Sequence, residues 1–281
     1  MDDDDQSKHG EQSALWNGPG ARGWVALQAL IDGVYRPFDD RLVDDVSTET
    51  TRRVLDVGCG TGSTTVAIAR RLGAAVRCTG IDISEPMIAA ARDRARRENV
   101  SAAFVVADAQ RQPLEPASFD AIVSRFGVMF FDDPVAAFTN LRRAASAGAR
   151  LRAIAWRSAA NNPFMTAAER AAAPLLPDLP VRRPDEPGQF AFADAGRVRR
   201  ILEDGGWSGI DIQPIDVSCA MSEDALVPYV SQLGPVGRAL QQADDDLRAR
   251  VVAAVRPGFD PYVHGTEVRF TAACWMVGAR A

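Results

Sequence analysis

Short runs of apolar, often β-branched residues alternate with longer amphipathic stretches over residues 52–157 of the chain. The apolar runs predict strands at 53–57, 76–81, 103–107, 119–124 and 150–156. The amphipathic stretches predict helices at 63–72, at 87–98 and from Asp133-Pro134 to about Ser146. Strands and helices that alternate in this way are typical of βαβ units, whose strands form a parallel sheet.

Capping residues mark the ends of two of these helices. Ser84 is predicted to be an N-cap, with Glu85 and Pro86 in the first turn that follows it. Gly148 is predicted to end the helix that begins at Asp133-Pro134, in the manner of a C′ glycine.

The regular alternation stops after residue 157. Residues 158–193 are rich in proline and predict a short helix with irregular loop, and a helix at 194–204 ends at Gly205-Gly206. A sixth strand at 210–217, helices over 222–256 and a last strand at 267–277 complete the pattern. We therefore expect an α/β fold: a Rossmann-like, doubly wound sheet of seven mostly parallel strands, with an antiparallel last strand and helical additions over the carboxyl edge.

Composition narrows the class of partner. The chain has 281 residues, a net charge of −5 and no helix that gathers basic residues into a stripe, so a nucleic-acid groove is not favoured. We expect a small-molecule partner and no nucleic acid; the sequence leaves the oligomeric state open.

Cysteine usage and hydropathy bear on the compartment. The four cysteines are widely spaced, with no C-x-x-C pair and no nearby histidine, so no metal site is expected. The first residues lack an apolar core typical of signal peptides, and no run approaches 18 apolar residues. We therefore expect a reduced, cytoplasmic protein without a membrane span.

A glycine loop follows the first predicted strand. Gly58, Gly60 and Gly62 occupy alternate positions, which gives the spacing G-x-G-x-G. Dinucleotide loops have the spacing G-x-G-x-x-G, and here the third glycine position of that pattern falls on Ser63. The loop is therefore predicted to bend under a ligand that need not carry a pyrophosphate.

Together with acids at the next two strand ends, this loop resembles the first motif of class I S-adenosylmethionine-dependent methyltransferases. Asp82 stands 24 residues after Gly58 at the end of the second strand, and Asp108 ends the third. Ser124-Arg125-Phe126-Gly127-Val128 at the end of the fourth strand also fits the family pattern. The nearest resemblance is to ubiquinone- and menaquinone-biosynthesis-like methyltransferases and to natural-product methyltransferases that act on small molecules.

The resemblance implies S-adenosyl-L-methionine as cofactor. It implies that Asp82 accepts from the ribose hydroxyls and Asp108 from the adenine amine, whereas the Cys59 thiol is interpreted as incidental. The cofactor-binding residues expected on this basis are Asp56, Gly58, Cys59, Gly60, Thr61, Gly62, Asp82, Ile83, Met87, Asp108, Ala109, Gln110, Ser124, Arg125 and Phe126.

Candidates for acceptor binding lie near the cofactor edge of the sheet. Trp16 and Trp24 could form an aromatic lid or only anchor the N-terminal helix on the core. Asn161-Asn162-Pro163-Phe164 follows the fifth strand rather than the fourth, so a helix N-cap is favoured over an amino-methylating tetrad. The candidate substrate residues are Trp16, Trp24, Val128, Met129, Trp156, Asn161 and Phe164.

His264 is the only histidine outside the N-terminal tail and precedes the last strand. Because the sixth strand is parallel and the last antiparallel, His264 is predicted at the cofactor edge. It is a candidate general base, with a solvated or capping histidine as the alternative. Asp120, which opens the fourth strand, is interpreted as structural.

These patterns predict a disordered tail at 1–13, an N-terminal helical lid at 14–50 and a methyltransferase domain at 51–281. Insertions at about 158–193 and 219–265 would form the acceptor pocket. The predicted function is transfer of a methyl group by in-line displacement to an oxygen, nitrogen or carbon atom of a small, largely apolar acceptor. The alternatives are an NAD(P)-dependent oxidoreductase and a non-catalytic module that binds S-adenosylmethionine.

Overall fold

The computed structural model describes residues 10, 12–183 and 186–281. Most of the tail expected at 1–13 lies outside the described residues, and residues 12–17 are helical. The proposed division into tail, lid and catalytic domain stays a prediction.

A single sheet forms the centre of the molecule. Its strands are β1 (Arg53–Val57), β2 (Arg77–Asp82), β3 (Ala103–Val106), β4 (Phe119–Arg125), β5 (Ala145–Trp156), β6 (Ser208–Ser222), β7 (Val263–His264) and β8 (Glu267–Arg280). The order is β3-β2-β1-β4-β5-β8-β6, and β7 pairs with β8. Pairing is parallel from β3 to β5, and β8 is antiparallel to both β5 and β6. The predicted Rossmann-like sheet with an antiparallel last strand is confirmed, with the two-residue β7 added.

Helices cover both faces of this sheet. They are α1 (Pro19–Ala26), α2 (Gln28–Val46), α3 (Ser63–Leu72), α4 (Glu85–Arg97), α5 (Pro134–Ala144), α6 (Pro163–Ala172), α7 (Ala195–Asp204), α8 (Leu226–Gln232), α9 (Gly234–Leu240) and α10 (Asp245–Val255). Side-chain caps begin several of them: Ser84 accepts from the Met87 N–H, and Asp133 accepts from the Ala136 N–H.

Two predicted boundaries were wrong. Gly148 does not end α5, because the helix stops at Ala144 and Gly148 lies inside β5, where its N–H donates to the Ala281 carbonyl. Strand β6 is much longer than the predicted 210–217, because it pairs with β8 from Ser208 to Ser222. This long β6–β8 pair extends past the ends of the parallel strands.

Helix α2 is part of the core. Its buried face carries Ile31, Val34, Phe38 and Leu42, which recur at helical spacing and pack against the sheet. Because burial of such side chains contributes about 1.5–3 kcal/mol each, α2 stabilises the fold as well as bordering the site.

Two further properties concern the cysteines and the hydropathy of the helices. All four cysteines are free and buried. Among the described residues, no helix is long and apolar enough to cross a membrane.

Candidate functional site

A cavity of about 470 Å³ opens at the carboxyl ends of β1, β2, β3 and β4. Its inner wall is formed by the loops that follow these strands, and its outer wall by α1, α6, α8, α9 and the loop after α6. In open α/β sheets this edge is where ligands bind. Of the predicted site residues, those lining the cavity are Trp16, Trp24, Gly58, Cys59, Gly60, Thr61, Asp82, Ile83, Met87, Asp108, Ala109, Gln110, Arg125, Phe126, Met129, Trp156 and Phe164.

The glycine loop uses a backbone conformation that other residues rarely adopt. Gly58, Gly60 and Gly62 have φ angles of +66°, +53° and +83°. A Cβ on Gly60 would meet only the Met87 sulfur, at 3.7 Å, so Gly60 presents bare backbone to the cavity. A Cβ on Gly58 would lie 2.6 Å from the Gly127 Cα, so Gly58 also allows the loops after β1 and β4 to touch.

Gly62 is required for packing instead. A Cβ there would lie 2.9 Å from the Ala91 Cβ and from the Phe104 ring, and Gly62 does not line the cavity. The expectation that all three glycines face the ligand is thus corrected for Gly62, which serves the close approach of α3 to α4 and β3.

Asp82 ties the loop to the end of β2. Its Oδ2 accepts from the Gly60 N–H at 2.8 Å and its Oδ1 accepts from the Ser84 N–H at 2.9 Å. Burial raises the pKa of this carboxyl above its usual range. A carboxylate offers about four lone-pair sites, and the backbone N–H groups of Ser84, Gly60 and Ile83 bond to this one, so room for a ligand hydroxyl remains. This geometry fits a ribose at Asp82.

Asp108 organises the loop after β3. Its Oδ1 accepts from the Gln110 N–H at 2.9 Å, and the Arg111 Nε lies 3.6 Å from Oδ2. Gln110 in turn accepts from the Asp133 N–H, which joins this loop to the start of α5. Gln12 also lines the cavity, and its Oε1 is buried and has no hydrogen-bond partner among the described residues. It is an acceptor that a bound cofactor could satisfy.

Aromatic rings enclose the middle of the cavity. The Phe126 ring stacks on Trp156 with centroids 4.7 Å apart and lies 5.6 Å from Tyr35. Phe126 has a φ of +67°, which is strained for a residue with a side chain. Such strain is concentrated at functional sites, and here it directs the end of β4 into the cavity.

Trp16 and Trp24 pack against other aromatic rings and also line the cavity, while their role as a lid stays a prediction. The Trp16 ring packs edge-on against Phe130 at 5.2 Å, and Trp24 stacks on Tyr35 at 6.4 Å. Both indoles also line the cavity. They anchor the N-terminal helices and form an aromatic wall at the same time.

Sequence reasoning missed a buried polar network that holds α2 against the site. Asp39 accepts from the Ser63 hydroxyl at 2.9 Å, from the Thr64 hydroxyl at 2.5 Å and from the Arg125 guanidinium at 2.8 Å. Both Asp39 and Arg125 are nearly buried. The available signal was an acid beside Phe38 on the apolar face of α2, where an unpaired carboxylate would be costly.

Sequence reasoning also missed a tyrosine pair. The Tyr35 and Tyr229 hydroxyls are 3.0 Å apart, and both residues line the cavity. Burial raises the pKa of Tyr229 to about 12 and raises that of Tyr35 well above its usual range. Neither phenol is therefore ionised near neutral pH.

Two predicted cofactor residues support the loops from below and do not line the cavity. The Asp56 carboxylate accepts from the Thr65 hydroxyl at 2.6 Å, and burial raises its pKa to about 7. The Ser124 hydroxyl donates to the Val57 carbonyl and accepts from the N–H groups of Gly127 and Val128. Val128 itself, a predicted substrate residue, is only 1% exposed and packs in the core.

His264 and Asn161 also lie outside the cavity lining. His264 is exposed because it sits in the two-residue β7, opposite Glu267 on the projecting β6–β8 pair. Asn161 is exposed in a short 3₁₀ turn, where its side chain accepts from the Ser158 hydroxyl. Its neighbour Asn162 is buried and bonds both the N–H and the carbonyl of Ala273, which joins the end of β5 to β8. The predicted general base is therefore not in contact with the cavity.

The fold and this site resemble those of Rossmann-like domains that bind a small molecule at the carboxyl edge of the sheet. Residues 54–148 match the family described as methyltransferase domain. Over 115 residues the chain is 34% identical to demethylmenaquinone methyltransferase of Staphylococcus aureus, an alignment that covers 41% of this chain and 47% of that one. The chain thus spans about half the length of the curated relatives it matches.

Solved structures share the fold over most of the chain. The YcgJ protein of Bacillus subtilis has a TM-score of 0.57 at 18% identity, covering 87% of this chain and 98% of that chain. Phosphoethanolamine N-methyltransferase 2 of Haemonchus contortus, solved with S-adenosyl-L-methionine, has a TM-score of 0.51 at 16% identity, covering 87% and 52%. These comparisons show a match to a methyltransferase domain over residues 54–148 and a shared fold over most of the chain.

Proposed function

We propose that the protein transfers a methyl group from S-adenosylmethionine to a small, largely apolar acceptor. The observation that carries this proposal is one continuous cavity, which joins the Gly60–Asp82 edge to a chamber lined by aromatic and aliphatic side chains. Such a cavity can hold a cofactor and an acceptor against one another.

The residues at the inner wall fit the cofactor. Asp82 lines the cavity and has a lone-pair site left for a ribose hydroxyl, and Gly60 leaves room for the aminoacyl end against bare backbone. Asp108 and Ala109 border the expected adenine position. When bound, S-adenosylmethionine supplies a methyl group that its sulfonium makes electrophilic.

The chain's own contribution is alignment and exclusion of water. Phe126 and Trp156 form a rigid stacked wall, and Trp16 closes the cavity from the N-terminal side. Holding an acceptor near its attacking geometry can remove about 7–11 kcal/mol of a barrier in the most favourable cases. We infer that the acceptor approaches the methyl group in line, between these rings.

The phenols, the thiol and the two glutamates that line the cavity are poorly suited to act as a general base. Tyr35 and Tyr229 are protonated, and burial raises the pKa of the Cys59 thiol well above its usual range. Glu169 and Glu186 are engaged by arginines. The arrangement favours acceptor atoms that need little deprotonation, such as an activated carbon or an amine, over an ordinary hydroxyl.

The relatives support a proposal for the finer substrate class. Their name states action on demethylmenaquinone, and the stacked rings of this chamber suit a planar, apolar acceptor. We propose a quinone-like ring compound, and demethylmenaquinone is the first acceptor to test. An oxidoreductase that uses NAD(P) is disfavoured by the glycine spacing and by Asp108.

The test measures transfer of radiolabel from S-adenosyl-L-methionine tritiated in the methyl group. We expect label in an organic extract with demethylmenaquinone or a related ring compound as acceptor, and none with Asp82→Ala. Asp93→Ala removes an exposed carboxylate from α4 and should leave transfer unchanged. Equal transfer by the wild type and Asp82→Ala would contradict the site assignment.

A further inference from the structure

The outer part of the cavity is charged, in contrast to its aromatic middle. Glu169 of α6 accepts from the Arg182 Nε at 2.9 Å and from a second nitrogen of the same guanidinium. The Arg182 guanidinium also lies 4.8 Å from the centre of the Phe190 ring. Arg182 is thus held in place by an ion pair and an aromatic face, and Glu169 is already satisfied.

A second arginine lines the same cavity and has no hydrogen-bond or ion-pair partner in the part of the chain that the structure describes. Arg238 of α9 lines the cavity and is partly buried. Within the described residues it makes no hydrogen bond or ion pair, whereas nearby Arg183 pairs with Glu186 and is mostly exposed. The Glu169 carboxylate is bonded by Arg182, and it also attracts the guanidinium of Arg238 by its charge.

This arrangement is unfavourable while nothing binds. Burial lowers the pKa of Arg238, with Arg182 acting in the same direction and Glu169 opposing it. A guanidinium stays protonated in proteins, so the group remains a charge that has lost part of its hydration. An anionic partner would offset that cost, and the planar fork of arginine matches carboxylate and phosphate oxygens.

The other residues of the cavity indicate that an anionic ligand of Arg238 should also have an apolar part. Apolar side chains line the same cavity as Arg238, Phe190, Val236 and Phe259 among them. A small anion such as inorganic phosphate would bind the guanidinium without contacting these apolar side chains. A molecule with an apolar body and one anionic end would contact both.

We propose that Arg238 binds a carboxylate or phosphate carried by the acceptor, at the end away from the atom that is methylated. This inference rests on the proposed function, because it assumes that the acceptor occupies the outer cavity. Arg238 would then favour quinone-like ring compounds that carry an acidic group over neutral ones such as demethylmenaquinone, and it would fix which end of the molecule points toward Gly60.

The test uses probes that differ in charge but share one ring system. Protein saturated with S-adenosylhomocysteine is titrated by calorimetry with 2-naphthoate, 2-naphthyl phosphate and the neutral 2-naphthamide. We expect at least one anion to bind about ten-fold or more tightly than the amide, which corresponds to about 1.4 kcal/mol. The tighter of the two anions identifies the acceptor's group as a carboxylate or a phosphate.

Substitutions test whether Arg238 causes the preference for an anionic probe. Arg238→Met should abolish the preference for the anion, and Arg238→Lys should retain part of it. Arg170→Met removes an exposed arginine of α6 that does not line the cavity, and it should behave as the wild type. Unchanged affinity for S-adenosylhomocysteine in each variant shows that the fold is intact.

The possible outcomes distinguish failure of the Arg238 assignment from failure of the proposed methyl transfer. If the wild type fails to bind S-adenosylhomocysteine, the proposed function fails. If it binds S-adenosylhomocysteine but neither anion exceeds the amide, the assignment of Arg238 is overturned while the proposed function stands. Persistence of the preference in Arg238→Met overturns the assignment in the same way.

Discussion

Asp56 gives a pH dependence whose sign and size can be worked out from the structure. The side chain lies in β1 beneath the glycine loop and is 2% exposed. Its Oδ2 accepts one hydrogen bond, from the Thr65 hydroxyl at 2.6 Å. Burial outweighs that bond and the charge of Arg125, and it raises the pKa from 3.8 to about 7.

The direction of the effect follows from proton binding. Between about pH 4 and pH 7 the folded protein keeps a proton on Asp56 that the unfolded chain has released. The contribution to stability is therefore complete below the unfolded pKa and is lost as the pH rises through the folded pKa. At 1.36 kcal/mol for each pH unit, the loss is about 4 kcal/mol.

The variant Asp56→Asn removes the titration and keeps an acceptor for Thr65. Its amide adds a buried donor, which costs about 1–3 kcal/mol at all pH values. We expect Asp56→Asn to be less stable than the wild type at pH 4.5 and equal or more stable at pH 8. The free energy of unfolding should thus depend less steeply on pH in the variant.

Urea unfolding followed by circular dichroism, at steps between pH 4.5 and pH 8, measures this difference. Asp93→Asn, at an exposed position on α4, controls for loss of a carboxylate and should run parallel to the wild type. Parallel curves for the wild type and Asp56→Asn would refute the reasoning, since they would show that Asp56 is already ionised in the folded protein.

Further predictions concern packing and the cavity. Gly62→Ala should lower the free energy of unfolding by about 2–4 kcal/mol, since the new methyl group overpacks against Phe104 and the residue has a positive φ. Gly33→Ala is the control, because Gly33 lies on α2 with open space around it. This variant should raise the free energy of unfolding by up to about 1 kcal/mol in the same urea titration. Asn162→Ala should cost about 2–4 kcal/mol by thermal unfolding, because two Ala273 backbone groups lose their buried partner. Tyr229→Phe should leave the pH profile of methyl transfer unchanged, and a shifted profile would show that the tyrosine pair acts as a base.

Local sequence signals predicted the inner half of the site. The glycine loop and Asp82 lie directly at strand ends, so their position followed once the strands were placed. Asp39 could not be placed in this way, because its partners Ser63, Thr64 and Arg125 are distant in sequence. Only the packing of α2 against the sheet brings these side chains together.

The outer half depends on contacts that no local pattern encodes. Tyr35 and Tyr229 are 194 positions apart, and Arg238 faces Glu169 only because α9 folds back over α6. For His264, the predicted topology was correct but the predicted position at the cavity was not. Topology placed it near the cofactor edge, but the length of the β6–β8 pair carries β7 away from the cavity.

The central claim is that this cavity binds S-adenosylmethionine at Gly60 and Asp82, and cofactor binding tests it most directly. In isothermal titration calorimetry we expect saturable heat with S-adenosylhomocysteine, none with NAD, and loss of the S-adenosylhomocysteine signal in a folded Asp82→Ala variant. Saturable binding of NAD without binding of S-adenosylhomocysteine, or full affinity in Asp82→Ala, would contradict the account.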